Sequence, residues 1–146
     1  MKVYEIKEIL DAEVICGEEF MDREAFTACG SDMMSDVLAY VKEQAVLLTG
    51  LVNPQVVRTA EMMDMQCIVF VRGKQPDEGI IDLAKERDIV LMTTKQPMFA
   101  SCGMLYEKGL FDFTRCLTCA CKIITRHIEV EFQVAHFTAP PRRPFS

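Results

Sequence analysis

From Gln44 onward, short apolar runs alternate with stretches whose apolar positions recur every three or four residues. The runs 45–49, 67–72 and 89–93 read as strands, and the intervening 54–64, 77–87 and 96–108 read as helices. Within those helices Val56, Val57, Ala60 and Met63, then Ile80, Ile81 and Ala84, supply the buried stripe. Strands as continuously apolar as Cys67-Ile68-Val69-Phe70-Val71 imply burial on both faces, hence helices on both sides of the sheet. Thr49, Val71 and Thr93 recur at intervals of about 22 residues, which fits strand, turn, helix and return in a parallel sheet.

The first 44 residues are less regular. Val3, Ile6, Ile9 and Leu10 predict a helix over 2–10, and Ala12 to Gly17 reads as a strand closed by glycine. An acidic stretch leads to a second buried strand over Ala25–Gly30. Ser31 or Asp32 then caps a helix with Met33, Met34, Val37, Leu38 and Val41 on its apolar face. The expected fold is α/β: a three-layer α/β/α domain with a mostly parallel sheet of about five strands, spanning residues 1–110.

Residues 111–146 differ in character. Cys116, Cys119 and Cys121, followed by His127, form a metal-like cluster, and Ile128, Val130, Phe132 and Val134 alternate with polar residues as in a half-buried strand. The end, Pro140 to Ser146, reads as an extended or disordered Pro/Arg tail.

Composition narrows the function classes. A net charge of −6 argues against a nucleic-acid partner, whose phosphates need neutralising by Lys and Arg. No apolar stretch approaches the roughly 20 residues that span a bilayer, and the first residues lack a signal-peptide core, so a cytoplasmic protein is expected. Seven cysteines are an odd number, and Cys16, Cys67 and Cys102 sit in apolar patterns as small hydrophobes.

Parallel sheets hold ligands outside the carboxyl ends of their strands. Thr49, Arg72 and Thr94 stand at three such ends, and Asn53 caps the helix that Pro54 opens. Hydroxyls, a guanidinium and helix N-termini suit an anion with a polar body. Neither the spacing of a P-loop nor that of a dinucleotide-binding turn is present. No catalytic constellation can be assembled, since His127 and His136 both lie outside the regular region.

Asp22-Arg23-Glu24, Ser31-Asp32-Met33-Met34-Ser35-Asp36, Leu48-Thr49-Gly50-Leu51-Val52-Asn53-Pro54, Val69 to Lys74 and Thr93-Thr94-Lys95 together resemble the DRTGG domain family over residues 12–110. Asp22-Arg23 matches the first two letters of that name, and Phe26-Thr27-Ala28 stands where Thr-Gly-Gly would. The resemblance implies a small α/β domain, similar to the N-terminal domains of HPr kinase and of some Mur ligases, that regulates or dimerises beside enzymes. Asp22, Arg23 and Asp32 would border the carboxyl edge if the preceding loop folds back over it, with Ser31 beside them.

The resulting expectation is a non-catalytic, cofactor-free homodimeric module that senses a small anionic metabolite or nucleotide. Its ligand residues would be Asp22, Arg23, Ser31, Asp32, Thr49, Asn53, Arg72 and Thr94, and it would modulate a partner enzyme. Two alternatives stay open: a docking subunit without ligand, and a metal or redox protein using the tail cysteines.

Overall fold

The computed structural model describes residues 1–41 and 44–112. Its elements in chain order are α1 (Val3–Leu10), β1 (Glu13–Cys16), a 3₁₀ turn (Glu18–Phe20), β2 (Thr27–Gly30), α2 (Met34–Tyr40), β3 (Ala45–Thr49), α3 (Pro54–Met62), β4 (Cys67–Phe70), α4 (Glu78–Glu86), β5 (Val90–Thr93) and α5 (Met98–Glu107). The cysteine cluster, His127, His136 and the alternating segment 128–134 lie outside the described residues.

Five strands form one sheet in the order β1-β5-β4-β3-β2, in which β2 through β5 run parallel and β1 pairs antiparallel with β5. Because the parallel strands are consecutive, right-handed crossovers place α2, α3 and α4 on one face. There Val37, Val56, Val57, Ala60, Ile80 and Ala84 pack on Leu47, Ile68, Phe70 and Leu91. Helices α1 and α5 cover the other face, where Val3, Ile6, Leu10 and Leu105 meet Val46, Leu48, Val69 and Met92. Alternate residues of each strand thus feed opposite cores, which is why the strands read as unbroken apolar runs. The architecture is the expected three-layer α/β/α domain.

Local chemistry fixes the ends of the elements. The Asn53 side chain accepts from the Val56 N–H at 3.3 Å with Pro54 at the first helical position, and Asp77 accepts from Ile80 at 2.9 Å. Helices α1, α3 and α4 are followed by Asp11, Asp64 and Asp88 at positive φ, a conformation that aspartate tolerates better than most residues. Cys16 and Cys67 are buried, as small hydrophobes should be, whereas Cys102 is half-buried. Burial pushes the Cys67 thiol far up and the Cys29 thiol to about 11. Among the described residues no helix is long and apolar enough to cross a membrane.

Two local expectations are corrected. Neither Ser31 nor Asp32 caps α2: the N-cap is Met33 and no side chain caps the helix. Met33 and Leu38 are exposed, because the short α2 turns only Met34 and Val37 onto the sheet. The Phe111 carbonyl also accepts from the Ala28 N–H of β2 at 3.0 Å.

Candidate functional site

The path of the chain before β2 decides which predicted residues can meet. Strand β1 is antiparallel, so its carboxyl end lies at the amino end of β5, and β2 must also start at the amino edge. Residues 17–26 therefore cross beneath the amino ends of the strands. Arg23 donates to the Asp88 carbonyl just before β5, and Phe26 N–H to the Gln44 carbonyl just before β3. Arg23 also stacks over the Phe20 ring, 3.9 Å from its centre, while the exposed Asp22 faces Lys2 at 4.0 Å. Asp22 and Arg23 thus sit at the opposite edge from the strand ends they were expected to border.

At the carboxyl edge the structure gathers Asp32, Thr49, Gly50 and Arg72. Ser31 N–H donates to the Leu48 carbonyl, extending the β2–β3 register by one residue and aiming Asp32 across the end of β3. One carboxylate oxygen of Asp32 accepts from the Gly50 N–H at 2.7 Å and from the Thr49 hydroxyl at 3.0 Å. The other oxygen lies 3.7 Å from the Arg72 guanidinium. These donors, with the Gly50 N–H foremost, hold the Asp32 carboxyl below its ordinary value. The Thr49 oxygen in turn accepts from Leu51 N–H at 3.1 Å, which turns the chain from β3 toward α3.

Gly50 makes room for Arg72. A β-carbon at position 50 would fall 1.9 Å from the Arg72 guanidinium nitrogen, closer than any real contact, so a larger residue would push the guanidinium away. Arg72 holds a left-handed backbone, φ 59°, unusual for a long side chain. Its N–H donates to the Gln96 carbonyl at 2.9 Å and the Gly73 N–H to Thr94 at 2.8 Å. Those two bonds overdetermine the turn and swing the side chain back over β3. Among the described residues the guanidinium makes no hydrogen bond and remains half exposed.

The other predicted residues take different roles. Asn53 is four residues beyond Thr49, with its side chain committed to the α3 cap. Ser31 closes a local turn, its hydroxyl accepting from Met33 N–H at 3.1 Å. Ser35 and Asp36 are exposed on α2. Thr94 reaches the carboxyl edge but is buried, its hydroxyl donating to the Leu10 carbonyl at 2.7 Å and thereby fastening α1 to the end of β5.

Sequence reasoning missed a second feature of this edge. The helices after β4 and β5 lie on opposite faces, so their loops diverge and open a crevice between the two strand ends. Gly73, Gln75, Thr93 and Lys95 line it together with Asp11, which follows α1, and Glu13 at the start of β1. Thr93 donates to the Lys74 carbonyl at 2.8 Å across its floor. The signal was the switch of α5 to the other face, which no local pattern in 93–98 reveals.

The sequence model of the DRTGG domain matches residues 5–108. No curated protein sequence matches the chain. A crystal structure of the CBS and DRTGG domains of the regulatory region of Clostridium perfringens pyrophosphatase, complexed with its activator diadenosine tetraphosphate, shares the fold at a TM-score of 0.59 with 20% identity. The match covers 71% of this chain and 45% of that one, so this chain spans less than half of the neighbour's length. With the family pattern running through α1 to α5, the chain belongs to the DRTGG domain family.

Proposed function

We propose that this domain is a non-catalytic, cytoplasmic regulatory module that binds a small anionic metabolite or nucleotide at the carboxyl edge of its sheet and modulates a partner enzyme. The observation that carries this reading is the convergence of the Gly50 N–H, the Thr49 hydroxyl and the half-exposed Arg72 guanidinium on the two oxygens of the Asp32 carboxylate. Regulation is supported by the structural neighbour, a regulatory region of a pyrophosphatase complexed with a nucleotide activator. Among the described residues the edge offers positioned donors and no nucleophile–base pair, which favours holding an anion over transforming one.

Self-association completes the reading. Met33, Leu38 and Tyr40 are exposed along α2, Tyr40 at 70%, and a small module that signals by contact needs such a face. A homodimer is the expected state, and light scattering should give twice the chain mass at micromolar concentration.

Calorimetry with ATP, diadenosine tetraphosphate and acetyl phosphate tests the binding claim. Saturable binding of at least one, lost in Arg72→Ala with the melting temperature kept, is the expected result. No binding by any of the three would favour a docking subunit without ligand, and binding that survives in Arg72→Ala would place the ligand away from Arg72.

A further inference from the structure

Asp32 does to its neighbours what a bound anion would do. Its carboxylate takes the Gly50 N–H and the Thr49 hydroxyl and lies against a cation, in a geometry that a phosphoryl oxygen reproduces. We infer that Gly50, Thr49 and Arg72 form a phosphate subsite which Asp32 occupies as an internal competitor, so that a phosphate group binds by displacing the Asp32 side chain. This inference rests on the functional reading above and names the part of the ligand that the site takes.

Three observations beyond the contacts themselves support displacement. The Asp32 side chain is 52% exposed, so it can rotate into solvent without opening the core. Its ion pair with Arg72, at 3.7 Å, is too long for a hydrogen bond, and among the described residues the guanidinium makes none, which leaves its donors for a larger anion. Gly50 leaves space over its α-carbon that the guanidinium now fills, so the backbone N–H and the arginine can face one small group together.

The charge balance gives the direction. With Asp32 in place the cluster is neutral: one carboxylate, one guanidinium. With Asp32 turned out, a phosphate carrying more than one negative charge meets an unneutralised arginine and two neutral donors. The same carboxylate near the bound phosphate repels it, so removing that charge strengthens binding. A residue that merely shaped the loop would have the opposite effect, because its loss would disorder the donors.

Calorimetry of the full chain with inorganic pyrophosphate and with ATP, on wild type, Asp32→Asn and Asp32→Ala, tests this. Asn keeps an acceptor for Gly50 and Thr49 without the charge, which guards against a folding failure in the alanine variant. Both variants should bind pyrophosphate about ten-fold more tightly than wild type, since like-charge repulsion is relieved in both and competition for the donors is relieved fully in Asp32→Ala. Equal gains with both probes identify the phosphate group as what the subsite takes, whereas a gain with ATP and none with pyrophosphate overturns a subsite for phosphate alone. Wild-type binding with unchanged or weakened affinity in Asp32→Asn overturns the competitor and leaves the functional reading standing. Absence of binding in all three chains overturns both.

Discussion

The two edges of the sheet carry equally conspicuous charged motifs, yet they use arginine in different ways. At the amino edge Arg23 is spent: its guanidinium donates to the Asp88 carbonyl and lies over Phe20, pinning the crossing segment to the start of β5. At the carboxyl edge Arg72 is held in place by its own backbone, while among the described residues its side chain contributes a long ion pair. The first arrangement stabilises the domain, and the second keeps a cation available at a cost in backbone strain. A charged residue's role here follows from whether its donors are already satisfied, not from its prominence in a motif.

The sharpest way to break this comparison is to exchange each arginine for alanine. Arg72→Ala should weaken ATP binding by about 30- to 100-fold, the value of a charge-assisted phosphate contact. Arg23→Ala should leave binding within about two-fold but lower stability by about 1 kcal/mol, measured by urea denaturation. A reversed pattern would place the ligand at the amino edge.

A smaller effect is expected at Gly50. Gly50→Ala puts a methyl group where the Arg72 guanidinium lies, so ATP affinity should fall by about ten-fold with little change in melting temperature. Retained affinity would mean that Arg72 binds from another rotamer.

Acidity gives a further test. The Asp32 carboxyl sits below its ordinary value in the folded domain, chiefly through the Gly50 N–H, so its contribution to stability is complete above the usual carboxylate range. That contribution is lost as pH falls through the lowered value. Wild type should therefore exceed Asp32→Asn in stability at neutral pH, and the gap should close as the pH falls below the ordinary carboxylate range. A constant gap would show that the carboxylate charge contributes nothing.

The smallest effect concerns strain. Arg72→Gly should be more stable than Arg72→Ala by about 1 kcal/mol, because glycine holds a positive φ without steric cost. Equal stabilities would mean the turn relaxes once the side chain is gone.

Local signals made much of this architecture readable. Two-faced burial produced the unbroken runs of β3 to β5, and Asn53-Pro54 marked the start of α3 because capping needs only neighbouring residues. The site was only half readable. Thr49 and Arg72 could be placed at strand ends, but the reach of Asp32 to Gly50 depends on the β2–β3 register, which no pattern near residue 32 encodes. Arg72 carries none of the usual residues of a left-handed turn, so its orientation over Gly50 comes from bonds to the distant 94–96 loop. Asp22-Arg23 was misplaced because the edge it occupies is fixed by the antiparallel direction of β1, a property of the whole sheet.

The central claim, that an anion is held at the carboxyl edge, is tested most directly by an amide ¹H–¹⁵N spectrum recorded as ATP is added. The Gly50, Arg72 and Gly73 amides should shift together and saturate, while Arg23 and its neighbours stay still. Shifts concentrated on residues 20–24, with Gly50 and Arg72 unmoved, would contradict the account.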